Sequence, residues 1–206
     1  MCVTNWFITE WGLRALFMSA IALLVVSQLG VCGPAPPVWP RRFTLVQRRI
    51  PDVGSKVGLA TTVTYYDADR GANLIQIFPD SNISDELWDL ELDSHKSYYI
   101  TPSRHSCRPM EFPVGILRPN WLANATALGL HVVNGHKVLG WTKVDFIDYF
   151  ADIETCQPIR WYFHAMKAHF DTIYWAPGLA VPNSSWFAPP TYCREGRVDE
   201  QAIAMK

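Results

Sequence analysis

Hydrophobic and polar residues alternate over short stretches along most of this chain, and turn-forming residues separate the stretches. Residues 59–66 are rich in Thr, Val and Tyr, residues 67–71 have the composition of a turn, and residues 73–78 resume an extended pattern. Alternation with a period of two is typical of a half-buried β-strand, whereas an amphipathic helix repeats about every 3.6 residues. The pattern therefore predicts a β-hairpin in this region.

The clearest hairpin signal is the Asn-Gly dipeptide at residues 134–135. This pair supplies the two positive φ angles that a type I′ turn requires, so it should join a strand at 128–133 to one at 136–150. Two further strands are predicted at 159–164 and 169–175, joined by a tight connection. The result is an antiparallel meander.

The predicted fold class is mainly β, with a small helical contribution (α+β). Residues 118–123 contain proline near a helix start, which predicts a short helix across one face of the sheet. A chain of 206 residues suits one domain. We expect a single β-rich domain at 43–195, preceded by a Pro-rich lead-in at 33–42 and followed by a flexible tail at 196–206.

The amino-terminal segment has the pattern of a secretory signal peptide. An apolar stretch at 15–26 is too short to span a bilayer, which takes about 20 residues. Gly30 and Cys32 occupy the two small-residue positions before a cleavage site, which predicts a signal peptide at 1–32. We expect association with a membrane only through an uncleaved leader.

Three Asn-x-Ser/Thr sequons, at Asn82, Asn124 and Asn183, support passage through the secretory pathway. Each lies beside turn or helix-start residues, so all three should be on the surface. Together with the leader they predict a glycoprotein that is secreted or luminal, in an extracellular or vacuolar location.

Loss of Cys2 and Cys32 with the leader would leave Cys107, Cys156 and Cys193. An odd number predicts one disulfide and one free thiol. Cys107 with Cys193 is favoured because it would fasten the carboxy-terminal segment to the middle of the domain, and the two pairings with Cys156 stay open. The cysteine and histidine spacings do not match a zinc site.

Composition and charge exclude two classes of protein. With 49% hydrophobic and 18% charged residues, the chain is globular rather than disordered. Its 18 basic and 19 acidic residues are interspersed, with no basic run to follow a phosphate backbone. We therefore expect no nucleic-acid partner.

Candidate catalytic and metal-binding residues are few. Asp67 and Asp69 have the Asp-x-Asp spacing by which many glycosyltransferases hold a metal and a nucleotide sugar, but Asp is also a favoured turn former. The two histidine pairs, His131 with His136 and His164 with His169, each lack a third ligand at fixed spacing. The sequence thus predicts no catalytic residue, no metal site and no cofactor.

Aromatic residues suggest a ligand site instead. Tryptophan is abundant, and large flat side chains commonly line small-molecule clefts, although most are needed for packing in a β-sheet. Trp121 and Trp161 are the candidates to face a cavity. Arg118 would either orient an anionic head group or form an ion pair with Asp145.

Three segments resemble a family of small uncharacterised secreted proteins of plants and protists. They are VGILRPNWL at 114–122, WTKVDFI at 141–147 and PIRWYF at 158–163, and the resemblance extends from Trp39 to the closing APPTYC at 188–193.

More distantly, the strand order and cysteine placement resemble ependymin-related proteins. That resemblance implies a half-barrel of lipoprotein-carrier/ependymin type, in which a curved antiparallel sheet with short covering helices encloses an apolar pocket. It also implies a non-catalytic binding module for an apolar, lipid-like ligand or a hydrophobic partner surface. This chain has too few cysteines for the full ependymin disulfide set.

The alternative to a binding module is a small carbohydrate-active or glycosyl-transferring enzyme of the secretory pathway that uses Asp67 and Asp69.

Overall fold

The alternating segments pair into one antiparallel sheet of eleven strands in the computed structural model, which describes residues 32–179 and 183–193. Three short 3-10 helices, Ile83–Asp85, Pro102–Arg104 and Ser184–Phe187, are the helical elements of these residues. The mainly β prediction is confirmed. The strands are β1 Arg42–Pro51, β2 Ala60–Asp67, β3 Ala72–Pro79, β4 Leu87–Leu92, β5 Lys96–Thr101, β6 Ser106–Glu111, β7 Thr126–Val133, β8 His136–Lys143, β9 Ile147–Asp152, β10 Pro158–Phe163 and β11 Ala168–Pro177.

The strand order across the sheet is β6-β5-β4-β3-β2-β1-β11-β10-β9-β8-β7. The chain meanders outward from β1 to β6, crosses to the opposite edge, and meanders back from β7 to β11, which pairs with β1. The sheet is not closed into a barrel, because β6 and β7 remain its two edges. Residues 112–125, called here the crossing segment, connect those edges.

The predicted hairpins are confirmed, with one difference. β2 pairs with β3, and β7 pairs with β8 across Asn134 and Gly135, whose φ angles are 51° and 81°. The prediction of one long strand at 136–150 is wrong, because Val144 and Asp145 both have positive φ angles and reverse the chain between β8 and β9. Neither residue type signals such a turn as strongly as Asn-Gly does.

The helix predicted at 118–123 is also wrong. The Trp121 N–H donates to the Arg118 carbonyl at 2.9 Å, and the Ala123 N–H donates to the Asn120 carbonyl at 2.8 Å. Each of these bonds joins residues i and i+3, as in a turn, whereas the bonds of an α-helix join residues i and i+4. A succession of tight turns brings both Trp121 and Leu122 into the core as the segment crosses the sheet. Within the described ranges, no helix is long and apolar enough to cross a membrane.

The two halves of the sheet bury opposite faces. Tyr66 on β2 contacts one hydrophobic cluster, and its neighbour Tyr65 packs against another. Consecutive residues of a strand point to opposite faces. The first face, on β1, β2 and β8 to β11, is covered by the crossing segment and by Trp39. The second, centred on β3 to β5, is covered by residues of the carboxy-terminal segment 183–193.

Two disulfides tie the terminal segments to the sheet. Cys107 pairs with Cys193, as predicted, with an S–S distance of 2.00 Å. Cys156 pairs with Cys32, so the prediction that one of the three downstream cysteines stays a free thiol is wrong. The odd count arose because Cys32 was assigned to the leader, whereas the structure places it 5% exposed against the strands.

The predicted segment boundaries lie partly outside the described residues. This applies to residues 1–31 of the leader and to the tail at 196–206. Within the lead-in at 33–42, Trp39 is 6% exposed and belongs to the core. The lead-in therefore contributes to packing of the domain.

Candidate functional site

A group of stacked and edge-packed rings occupies the face beneath the crossing segment. We call it the aromatic cluster. Trp39 lies at its centre, with its ring stacked on Trp161 at a centroid distance of 5.2 Å and an interplanar angle of 15°. Trp121 packs its edge against Trp39 at 5.3 Å. The cluster consists of Trp39, Phe43, Tyr66, Trp121, Tyr149 and Trp161.

The strands and the crossing segment together position these rings. Register pairs Phe43 with Tyr66 and Trp161 with Tyr149, so these side chains share one face of the sheet. The Trp39 N–H donates to the Pro119 carbonyl at 2.8 Å, which fixes the lead-in beneath the crossing segment. The cluster therefore depends on contacts between parts of the chain that are far apart in sequence.

The two tryptophans predicted to face a cavity both belong to this cluster. Trp121 is 9% exposed and Trp161 is 7% exposed. Both contact Trp39, Trp161 by stacking and Trp121 by an edge contact. The cluster is packed with the protein's own side chains.

Two indole N–H groups in the cluster have no hydrogen-bond acceptor in the described part of the chain. The buried Nε1 atoms of Trp121 and Trp161 have no partner among the described residues. Trp39, in contrast, donates from Nε1 to the hydroxyl of Tyr149 at 3.3 Å. A buried donor without an acceptor costs about 1–3 kcal/mol, so this arrangement is unfavourable unless another group supplies acceptors.

Two phenols hold the cluster in place. The Tyr66 hydroxyl donates to the Leu117 carbonyl of the crossing segment at 2.7 Å. Burial, aided by the charge of Asp93, raises the pKa of Tyr66 to about 12. Burial also raises the pKa of Tyr149. Both hydroxyls therefore keep their protons at physiological pH, and Tyr66 remains a donor to the crossing segment.

Arg118, the third predicted site residue, lies at the rim rather than inside the cluster. Its guanidinium donates to the Asp93 carboxylate at 2.8 Å, and its side chain is 63% exposed. The suggested ion pair with Asp145 is therefore replaced by one with Asp93, because the crossing segment lies close to the β4–β5 turn. A Cβ added to Gly115 would come within 2.9 Å of the Asp93 Cα.

A polar patch that the sequence analysis missed lies on β3 to β5, on the face opposite the cluster of Leu74, Leu90 and Tyr98 and therefore on the face that carries Tyr66. The Asn73 Nδ2 donates to Glu91 Oε2 at 2.8 Å, and burial raises the pKa of Glu91. On the next strand, burial and the charges of Asp89 and Glu91 raise the pKa of Tyr99 to about 12. The alternation of polar and apolar residues in β4 was a usable signal, because it places Asp89 and Glu91 on one face.

The Asp67-Ala68-Asp69 element forms a turn with arginine partners. Asp67 Oδ1 accepts hydrogen bonds from the Asp69 and Arg70 backbone N–H groups, and Asp67 Oδ2 lies 3.3 Å from Arg42 Nε. Asp69 pairs with Arg41 and Arg42. Both carboxylates are occupied by cationic partners in this turn, which leaves them poorly suited to hold a metal ion.

The four histidines considered as two pairs do not converge on one site. Three of them lie beside separate aspartates: His136 by Asp152 at 3.5 Å, His164 by Asp148 at 3.0 Å, and His169 by Asp52 at 3.7 Å. The fourth, His131, packs its ring against Phe150. No group of three or more metal-binding side chains occurs in the part of the chain that the structure describes.

A separate depression of about 560 Å³ opens to solvent beside the β1–β2 connection. Its lining includes Arg49, Lys56 and Asp80 as well as apolar side chains. It therefore differs from the enclosed apolar pocket that the resemblance to ependymin-related proteins implied.

The three sequon asparagines are exposed. Asn82 precedes the first 3-10 helix, and its side chain accepts a hydrogen bond from the Ser84 N–H. Asn183 accepts one in the same way from the Ser185 N–H. Asn124 has a φ of 62° just before β7. The predicted surface location of all three residues is confirmed.

Comparison with solved structures finds a similar fold in a crystal structure of an uncharacterized conserved protein from Thermus thermophilus. The TM-score is 0.50 at 6% sequence identity, and the match covers 84% of this chain and 94% of that chain. At this identity the similarity concerns the fold alone.

A search of curated proteins finds no match. Among family models, the one described as "Domain of unknown function (DUF8395)" matches residues 38–193. This range begins beside Trp39 and ends at Cys193, so it includes the complete sheet and the aromatic cluster. The chain therefore belongs to the DUF8395 family.

Proposed function

We propose that this protein is a non-catalytic binding module for an apolar, lipid-like ligand that carries a hydrogen-bond acceptor. The observation that carries the proposal is the pair of buried indole N–H groups of Trp121 and Trp161, which lack acceptors among the described residues. The faces of the rings provide apolar contacts for the ligand. The two N–H groups orient the ligand by donating hydrogen bonds to its acceptor. A few placed polar groups in an apolar lining are typical of small-molecule sites.

Access to the rings would require movement of the crossing segment. Its polar contacts to the rest of the domain include the bonds from Trp39 to Pro119 and from Tyr66 to Leu117, and the ion pair of Arg118. Breaking each neutral bond costs about 1 kcal/mol net. Burial of apolar ligand surface yields roughly 25 cal/mol per Å² before the costs of association, which is sufficient to offset such an opening.

We also propose that the fold is a half-barrel of lipoprotein-carrier/ependymin type, which the open antiparallel sheet supports. In that arrangement the crossing segment and the terminal segments take the place of covering helices. The aromatic cluster then occupies the position where such a half-barrel would hold its ligand.

We place the protein outside the cytosol, as a secreted or luminal glycoprotein. Two disulfides support an oxidising compartment. The exposure of Asn82, Asn124 and Asn183 makes all three accessible to glycosylation. Enzymatic deglycosylation of protein secreted by a eukaryotic host should lower its apparent mass, and an unchanged mass would contradict this part of the proposal.

A fluorescent fatty-acid probe tests the binding function. We expect saturable binding to the folded protein. Replacing Trp121 or Trp161 by Phe keeps an aromatic ring but removes the N–H, which should weaken binding about threefold to tenfold per residue. Trp186→Phe is the matched control, because Trp186 belongs to the cluster on the opposite face.

The stability of each variant must be measured beside its affinity, since all three residues contribute to packing. Absence of saturable binding to a broad panel of lipids would contradict the proposed function. Equal binding by wild type and both cluster variants would show that the ligand sits elsewhere.

A further inference from the structure

One arginine of the sheet is partly withdrawn from water without an acidic partner. Arg49 on β1 is half-buried and forms no ion pair with a carboxylate in the described part of the chain. The other two half-buried arginines of that part, Arg48 and Arg160, each pair with an aspartate. Burial lowers the pKa of Arg49, because loss of water disfavours its charged form. A buried charge is costly unless a counter-charge compensates it, so this position favours an anion.

Arg49 lines the depression of about 560 Å³ that opens beside residues 52–59, the β1–β2 connection. Its Nε donates to the Gly58 carbonyl of this connection at 2.9 Å. Neither of its terminal guanidinium nitrogens has a hydrogen-bond acceptor among the described residues. Lys56, which is exposed, lines the same depression and also has no ion pair among them. Two cationic groups are therefore available to a ligand here.

The acidic side chain in this lining, Asp80, does not neutralise these two cations. Its Oδ1 accepts a hydrogen bond from Arg48 Nη1 at 2.6 Å, and its Oδ2 accepts a second bond from Arg48 Nη2. Arg48 and Arg49 are consecutive residues of β1, so their side chains point to opposite faces of the sheet. The bonds from Arg48 lower the pKa of Asp80, which therefore stays ionised and paired. The positive charges of Arg49 and Lys56 remain uncompensated.

Hydrogen bonds between neighbouring turns fix the walls of the depression. The Asp80 N–H donates to the Leu59 carbonyl at 3.1 Å, and the Ser55 hydroxyl donates to the Met166 carbonyl at 2.7 Å. The apolar lining consists of Val57, Leu59 and Pro79. A preformed cleft that combines apolar walls with a few placed polar groups is typical of small-molecule sites, whose volumes are roughly 300–1,000 Å³.

We propose that this depression binds an anionic group, a carboxylate or a phosphate, that is attached to a short apolar chain. The terminal nitrogens of Arg49 donate to two oxygens of the anion, since a guanidinium matches the geometry of both groups. Lys56 contributes a second positive charge. The apolar chain of the ligand lies against Val57, Leu59 and Pro79.

This site is separate from the aromatic cluster. Phe43 of the cluster and Arg49 lie towards opposite ends of β1. Six residues of an extended strand span about 20 Å. The inference therefore does not rest on the proposed function, and either site can be present without the other.

Isothermal titration calorimetry with octanoate and octyl phosphate tests the proposal. Both should bind saturably, and the tighter of the two identifies the preferred anion. Octanol, which lacks the charge, and inorganic phosphate, which lacks the chain, should each bind at least tenfold more weakly. Arg49→Gln should weaken octanoate binding at least tenfold, and Lys56→Gln about threefold. Arg108→Gln is the matched control, because Arg108 is an exposed arginine on edge strand β6.

Thermal unfolding without ligand monitors the folding of each variant. Lys56 is exposed, so Lys56→Gln preserves the test if Arg49→Gln unfolds. Trp161→Phe should leave octanoate binding unchanged, which separates this site from the aromatic cluster. Absence of saturable octanoate and octyl phosphate binding up to roughly 10 mM would overturn the proposal. Equal affinity for octanol and octanoate, or unchanged octanoate binding in folded Arg49→Gln and Lys56→Gln, would overturn it as well.

Discussion

Cys32 forms a disulfide with Cys156, and their Cα atoms are 5.0 Å apart. The bond attaches the start of the described chain to the turn between β9 and β10, where the Cys32 N–H also donates to the Ile153 carbonyl at 2.8 Å. Cys32 is therefore a structural residue of the domain.

The first prediction concerns Cys156→Ser. The bond links residues 124 positions apart, so its loss should destabilise the protein by about 5 kcal/mol in the chain-entropy model. Urea unfolding should show the loss, and thiol titration of the denatured protein should show one additional free thiol. The neighbouring conservative change Thr155→Ser is the control. An unchanged thiol count would show that Cys32 and Cys156 are not paired.

The second prediction concerns processing of the leader. Cleavage after Cys32 would remove one partner of the disulfide, so the mature amino terminus should lie upstream of Cys32. Mass spectrometry of the intact secreted protein, before and after reduction, measures this directly. A mature chain that begins at Gly33 would contradict the pairing of Cys32 in the secreted form.

The third prediction concerns Cys193→Ser. The Cys107–Cys193 bond closes a sequence separation of 86, so its removal should cost about 4–5 kcal/mol. The carboxy-terminal segment should loosen, since Trp186 packs there against Tyr65 and Trp88. Acrylamide quenching of tryptophan fluorescence should increase. Unchanged quenching would show that packing alone holds the segment.

The fourth prediction concerns the centre of the aromatic cluster. Trp39→Ala should destabilise the protein by about 3–5 kcal/mol, because it removes the ring that contacts both Trp121 and Trp161. Val38→Ala is the adjacent control, since Val38 is 68% exposed and should change stability by about 0.5 kcal/mol or less. Chemical denaturation of both variants checks this. Similar losses in both would show that Trp39 is not a core residue.

The fifth prediction concerns pH. Burial raises the pKa of Glu91 above its ordinary value of 4.5, so the folded state favours the protonated carboxyl. The stability contributed by this group is present below that value and is lost as pH rises through the folded pKa. Glu91→Gln mimics the protonated form, and should therefore be more stable than wild type at neutral pH.

The advantage of Glu91→Gln over wild type should shrink as the pH falls through the raised folded pKa of Glu91 and should be absent below 4.5, which urea unfolding at several pH values measures. Glu111→Gln is the control, because Glu111 is exposed at the edge of the sheet. If the difference in the free energy of unfolding between Glu91→Gln and wild type stays constant with pH, the ionisation of Glu91 does not contribute to stability.

Local features of this protein were predictable from sequence because neighbouring residues encode them. The Asn-Gly pair at 134–135 specified a turn through its backbone preferences, and alternation at 59–66 and 73–78 specified two strands of one hairpin. The surface location of the sequons followed from their turn-forming neighbours. The pairing of Cys107 with Cys193 was favoured because it would fasten the carboxy-terminal segment to the middle of the domain, and the fold has this bond.

Long-range features were decided by the tertiary structure. The pairing of β1 with β11, for example Leu45 opposite Trp175, determines which surfaces meet, and no local pattern encodes it. That pairing and the crossing segment pack Trp39 against both Trp121 and Trp161, the two residues that had been expected to face a cavity. They also place Arg118 beside Asp93, and Cys32 beside Cys156. Alternation tells which residues share a face of a strand, whereas only the strand order and the path of the connections decide what covers that face.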